Sequence, residues 1–184
     1  MPPHATYASD LSPEYPLLGF LAQQPAHGYE LHQRLVADFS QIWHVSLSQT
    51  YNILKRLEEQ GYITGTVQEQ EKLPSRRWFR LTPPGRRRFN SWLCSSASYS
   101  VRAVRVEFTT RLYFAHALDP DLLSDLIESQ TAEIQSGLTQ LQTMLAEIPP
   151  EKFFNRLGLE LRIRQLSSLL DWIAECRSTL GLQE

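Results

Sequence analysis

The chain has only two cysteines in 184 residues, Cys94 and Cys176, far apart and at no metal-ligand spacing. Neither a disulfide framework nor a thiolate metal site is expected, and a reduced, cytoplasmic protein is the simpler reading. No Lys or Arg precedes Arg34 and no long apolar run opens the chain, so a signal peptide is not expected. Nowhere is there the run of roughly 20 apolar residues that a membrane helix requires. The eight glycines are scattered and form no phosphate-binding loop. His27 and His32 are five residues apart, whereas two ligands on one helix face need a spacing of four. His44 and His116 stand alone, and Ser46 and Ser48 lack the strand and glycine context of a nucleophile elbow. These absences argue against an enzyme, a metal site and a bound cofactor.

What is present is a globular composition, 42% hydrophobic and 21% charged, which supplies a core and argues against global disorder. The net charge of −2 does not by itself suggest a nucleic-acid partner. Its distribution does. Residues 1–94 carry ten Lys/Arg against eight Asp/Glu, a balance of +2, and residues 95–184 carry eight against twelve, −4. Lys72, Arg76, Arg77, Arg80, Arg86, Arg87 and Arg88 are opposed locally only by Glu69 and Glu71. Local rather than global charge sets phosphate binding.

The first half is organised around residues 46–61, SLSQTYNILKRLEEQG. Leu47, Tyr51, Leu54 and Leu57 recur at three- and four-residue steps and are expected to face a core. Ser46 with Gln49 forms a capping box, and Gly61 stops the helix. The opposite face carries Ser48, Gln49, Asn52, Lys55 and Arg56, which suit base edges and phosphate oxygens and have little packing value. Residues 62–70 and 76–81 read as extended segments joined by the turn-like Lys72, Leu73, Pro74 and Ser75. Two short helices come first, over residues 14–24 and 29–39, and a helix over 86–94 follows. Helix, helix, polar-faced helix, then a hairpin with a basic turn is the order of a winged helix, in which the third helix enters the major groove and the hairpin lies over the backbone. Trp78 and Phe79 are explained by alternation on that hairpin, without a base-stacking platform.

The expected organisation is a mobile arm over residues 1–12, a winged-helix domain over 13–94, a linker over 95–103 in the Ser-rich SSASYS stretch, and a helical domain over 104–184. The fold class is mainly α with a small β-hairpin. In the second half, residues 122–148 form the longest periodic run, with Ile127, Ile134, Leu141 and Ile148 seven apart and Leu138 and Leu145 interleaved. Leu159, Leu166, Ile173 and Leu180 repeat the pattern, with Ile163 and Leu170 between them. Two heptad seams on helices, the first roughly 40 Å long, suggest antiparallel pairing and dimerisation through Ile127, Ile134, Leu138, Leu141, Leu145, Leu166, Leu170 and Ile173. A helical hairpin within one chain satisfies the same pattern.

Three motifs in order give the first half a family resemblance. Gly28, Tyr29, Glu30 and Leu31 come first, then Tyr51, Leu54, Leu57, Glu58 and Gly61, then Leu81, Thr82 and Gly85. Together they resemble the winged-helix domain of PadR-family transcriptional regulators. Phe79 stands where that family usually has tyrosine, and Thr50 where an aliphatic residue is common. More loosely, the second half is similar to the carboxy-terminal helical dimerisation domain of the larger PadR subfamily. The resemblance implies a homodimer that binds double-stranded DNA, often as a repressor, with release by a small-molecule effector as a further expectation. Ser48, Gln49, Asn52 and Lys55 are the candidates for base edges or adjacent phosphates, and Tyr51 divides between core and phosphate. Lys72, Arg76 and Arg77 are the candidates for backbone contact from the wing. Arg56 and Arg80 have Glu59 and Glu58 as alternative partners. The rival reading is a winged helix that serves protein interaction without DNA.

Overall fold

The computed structural model describes residues 12–70 and 73–182, with the backbone alone for 68–70 and 73–76. The expected arm therefore lies outside the described residues, apart from Ser12. The chain divides into two compact units, Met1–Ser95 and Ser96–Glu184.

The first unit runs α1 (Glu14–Gln23), β1 (Ala26–His27), α2 (Gly28–Phe39), α3 (Leu47–Glu59), β2 (Ile63–Gln70), β3 (Leu73–Leu81) and α4 (Pro83–Leu93). Helix α1 is buried over the whole of Glu14–Ala22, which is how a helix apolar on nearly all sides behaves when other helices enclose it. Leu31, Leu35, Phe39, Leu54, Leu57 and Phe89 close the core, and Trp92 stacks on Tyr15 with ring centres 4.5 Å apart. The sheet is antiparallel in the order β1-β3-β2. Strand β1 was not foreseen: two residues carry no alternation to read, and Ala26 and His27 are extended because they pair with Phe79 and Trp78.

Two glycines fix the base of the hairpin. Gly61, at φ 75°, ends α3 in the left-handed conformation. A Cβ on Gly85 would lie 2.0 Å from the carbonyl oxygen of Tyr62, so only glycine lets α4 pass that close to the start of β2. Thr82 caps α4 by accepting from the Gly85 amide at 3.2 Å, and its hydroxyl lies 2.7 Å from the Gly61 carbonyl. The Leu-Thr-x-x-Gly motif is thus the joint between wing and helix.

The second unit contains a helix that begins at Val101, inside the expected linker, and continues as α5 (Val101–Ala103), a π-helical turn (Val104–Phe108) and α6 (Thr109–Leu118). Then come α7 (Leu122–Glu147) and α8 (Phe153–Thr179). Arg156, near the start of α8, donates to the carbonyls of Leu145 and Ile148 at the end of α7. Arg177, near the end of α8, meets Glu128, near the start of α7, at 3.6 Å. The two helices are therefore antiparallel neighbours, as a short turn through Pro149 and Pro150 demands. Residues before α5 are fastened to α7: the Gln130 side chain donates to the Ser98 carbonyl at 2.8 Å, and Tyr99 packs where a Cβ on Gly137 would stand.

The heptad seams meet each other within this one chain. Ile127, Ile134 and Leu141 of α7 are buried together with Leu159, Leu166 and Ile173 of α8, and Leu138, Leu145, Ile163 and Leu170 pack partly buried against them. Of the eight residues expected to pair two chains, Ile127, Ile134, Leu141, Leu166 and Ile173 have almost no surface left to give. The intrachain hairpin is what the structure shows. A different set of apolar residues, Phe153, Phe154, Leu157 and Leu161 on α8, remains exposed.

Candidate nucleic-acid interface

The presentation of α3 begins with its cap. The Ser46 side chain accepts from the Gln49 amide at 3.2 Å, and the Gln49 side chain accepts from the Ser46 amide at 2.8 Å, so the expected capping box is formed. Gln49 is therefore partly committed: its carbonyl oxygen holds the cap while its amide NH2 stays free to donate.

The buried stripe of α3 is Thr50, Ile53, Leu54 and Leu57. This corrects the sequence reading, which placed Leu47 and Tyr51 in the core; they are 37% and 44% exposed. Thr50 is fully buried because its hydroxyl finds partners there, donating to the Ser46 carbonyl at 3.1 Å and lying 3.1 Å from His32 Nδ1. A buried polar group whose hydrogen bonds are made carries little penalty. Tyr51 instead lies against α2, at the place a Cβ on Gly28 would occupy, 2.7 Å from Tyr51 Cε1. Its surface position leaves the hydroxyl for an outside partner.

Ser48, Gln49, Tyr51, Asn52 and Lys55 are all exposed, and Ser48, Asn52 and Lys55 follow one another at steps of four and three on a single helix face. Lys55 lies 3.8 Å from Glu59, with both side chains mostly in solvent. Such a pair contributes about 0.3–0.5 kcal/mol and does not hold the lysine back. Arg56 is turned the other way. Its Nε and Nη2 donate to one oxygen of Glu14 at 2.9 and 2.5 Å, so its partner is on α1 rather than Glu58 or Glu59.

Lys72 lies outside the described residues, and for Arg76 the backbone alone is described, in β3 opposite Gln68. Arg77 donates to Glu58 at 2.7 Å and lies over the Phe79 ring. In the basic cluster that follows, Arg88 is drawn inward, donating to the second oxygen of Glu14 at 3.0 Å and lying over the Tyr62 ring. Arg86 reaches the Ala22 carbonyl at 3.4 Å. Arg80 and Arg87 are exposed. Sequence charge alone overcounted the cations free for phosphate, because it could not see Glu14 and Glu58 arriving from other elements.

No group of three or more His, Cys, Asp or Glu placed to hold a metal occurs among the described residues. No helix there is long and apolar enough to cross a membrane.

Comparison with known proteins gives matches over both units. The model of the transcriptional regulator PadR-like family matches residues 17–91, and that of the virulence activator alpha C-terminal family matches residues 104–181. A negative transcriptional regulator PadR of Bacillus subtilis (strain 168) is 28% identical over 144 residues, 76% of this chain and 79% of that protein. Among solved structures, Bacillus subtilis PadR in complex with operator DNA is similar at 24% identity and TM-score 0.46, covering 91% of this chain and 98% of that one. The smu.1604c protein of Streptococcus mutans UA159 is similar at 22% identity and TM-score 0.45, covering 91% and 99%.

Proposed function

From the premise that the chain belongs to the PadR-like family of transcriptional regulators, non-enzymatic proteins with a winged helix followed by carboxy-terminal helices, we propose that it binds specific double-stranded DNA sequences through the outer face of α3 and acts as a repressor. The observation that carries this reading is the face itself. Ser48, Asn52 and Lys55 project from a helix whose cap and buried stripe leave them, among the described residues, no partner except the weak Lys55–Glu59 pair, and a two-stranded wing stands beside it. A solvated helix carries a polar face as well, and what favours a major groove for this one is its side chains of base-reading type on a capped helix with a two-stranded wing beside it. Ser48, Gln49, Asn52 and Lys55 are assigned to base edges and neighbouring phosphates, Tyr51 to a phosphate through its hydroxyl, and Lys72 and Arg76 to backbone contact from the wing. The repressor assignment is supported by the name of the Bacillus subtilis relative.

The same reading asks for two copies, because one winged helix spans only a few base pairs and two-fold symmetry sets half-sites about 34 Å apart. Dimerisation is assigned to the second unit. Leu138, Leu145 and Leu170 contribute what surface they keep, and the exposed apolar residues Phe154, Leu157 and Leu161 follow one another at three- and four-residue steps along α8. A cytoplasmic location and release by a small-molecule effector complete the proposal; the effector rests on family resemblance.

The test is a mobility-shift titration of the full chain against genomic fragments from its own source, with unrelated duplex as competitor. Retention of a few fragments against excess competitor is expected. Equal competition by every duplex would leave a non-specific basic surface, and no shift at all would favour the protein-interaction reading.

A further inference from the structure

A single carboxylate oxygen joins the recognition helix to both strands of the wing. Glu58 Oε1, next to the last residue of α3, accepts from the backbone amide of Gly65 on β2 at 3.0 Å and from Arg77 Nη2 on β3 at 2.7 Å. The packing around it is close. A Cβ on Gly65 would stand 2.9 Å from that oxygen, 2.7 Å from Arg77 Nε and 3.2 Å from the Phe79 ring, and Arg77 lies over the same ring. Gly65 does not have a positive φ, so the glycine is there for space and not for backbone conformation. Among the residues whose side chains are described, no hydrogen bond or ion pair nearer the hairpin tip than this one ties the wing to α3.

We propose that Glu58 is a positioning residue for the wing, and that Arg77 influences DNA binding through Glu58 rather than by touching phosphate. The inference rests on the DNA-binding reading of the same unit. Its physical content is geometric. Phosphate contacts fix the register of a protein on the duplex, and a wing that swings relative to α3 cannot deliver its cations and the base-reading side chains together. An oxygen shared by α3, β2 and β3 removes that freedom, and the guanidinium holds the carboxylate toward the wing while the Gly65 amide sets its position.

The rival role for Arg77 predicts the opposite sign. If Arg77 were a phosphate ligand, Glu58 would compete with the DNA for it, and removing the carboxylate would release the cation and tighten binding. Long-range charge acts the same way, since Glu58→Ala removes a negative charge and Arg77→Ala a positive one. Only a positioning role makes both losses weaken binding.

The experiment is DNA titration across a range of salt concentrations with the full-length wild type, Glu58→Ala, Arg77→Ala, the double variant and Gly65→Ala, using a fragment that the wild type retains. Both single variants are expected to weaken binding by about two- to fivefold, the scale of a partly exposed ion pair. Each should lower the salt slope by about 0.9 for every wing phosphate no longer reached, and the double variant should be no weaker than either single one. Gly65→Ala should match them, because its methyl pushes the two side chains apart without changing any charge. Amide exchange in β2, measured without DNA, should accelerate in all four variants. Binding that is unchanged or tighter in Glu58→Ala, or losses that multiply in the double variant, would overturn the proposal. A wild type that retains no duplex would instead remove the DNA-binding reading, with amide exchange still reporting whether the latch exists.

Discussion

Arg56 and Glu14, 42 residues apart, are joined through two guanidinium nitrogens to one carboxylate oxygen, and Arg88 takes the other oxygen at 3.0 Å. This single acid ties α1, α3 and α4 together at a side chain only 8% exposed. Glu14→Ala is expected to destabilise the first unit by about 1–3 kcal/mol, above the value of a surface pair and below that of a fully buried one, since Arg56 is half in solvent. Urea denaturation monitored by tryptophan fluorescence measures this directly. A cost under about 0.3 kcal/mol would mean that the three-helix contact contributes nothing beyond a solvated pair.

The glycines separate by environment. Gly85→Ala pushes a methyl to 2.0 Å from a backbone oxygen and should cost about 3 kcal/mol or prevent folding. Gly158→Ala, inside α8 with open space around it, should stabilise by up to about 1 kcal/mol. Thermal melts of the two variants give the contrast, and a neutral Gly85→Ala would show that the joint between wing and α4 is looser than described.

On the face of α3, Gln49 and Asn52 should separate into different roles. Asn52→Ala is expected to keep stability and lose about 1–3 kcal/mol of discrimination at particular base pairs. Gln49→Ala removes half of the capping box as well, so it should also lower the melting point, by about 1 kcal/mol of stability. Binding to a panel of single-base operator variants, beside a melt, distinguishes them; equal effects in both assays would place the two residues in one role.

Cys94 is exposed and Cys176 is not fully so, and burial, with Glu175 adding to it, pushes the Cys176 thiol above its ordinary pKa. Since the thiolate is the reacting form, Cys94 should be labelled first by a maleimide at neutral pH and Cys176 only slowly. Comparable rates would indicate that the end of α8 opens readily.

Much of this was legible in the sequence, for identifiable reasons. The cap of α3 at Ser46, its stop at Gly61 and the strand-turn-strand order after it depend on local chemistry, which a sequence carries, although the turn expected over 72–75 is shorter than that, since β3 already begins at Leu73. The exact rotation of α3 was not legible, since Thr50 reads as polar until its hydroxyl is seen bonded to the Ser46 carbonyl and facing His32. Leu47 and Tyr51 share the three- and four-residue spacing of Leu54 and Leu57, which places them on the same stripe, with a phosphate contact as the alternative for Tyr51, and spacing does not show that the stripe is turned toward Thr50 and Ile53. The partners of Arg56, Arg77 and Arg88 come from elements far away in sequence, and no local pattern names them. The heptads of α7 and α8 revealed helices with a seam, but a seam closed within one chain and one closed between two have the same spacing.

That ambiguity yields a further contrast. Ile134 is fully buried within the chain and Leu161 is 57% exposed. Ile134→Asp should unfold the second unit, whereas Leu161→Asp should leave helix content intact and reduce self-association. Circular dichroism with light scattering tests both, and a Leu161→Asp protein as associated as wild type would take that face out of the dimer.

The central claim is that the outer face of α3 reads DNA sequence, and the most direct measurement is selection of bound duplexes from a random pool, done in parallel with wild type and Asn52→Ala. The wild type should converge on a two-fold symmetric sequence with half-sites about one helical turn apart, and Asn52→Ala on the same sequence with preference lost at one position in each half. A wild-type pool that stays random after repeated rounds, or an Asn52→Ala pool identical to it at every position, would contradict the account.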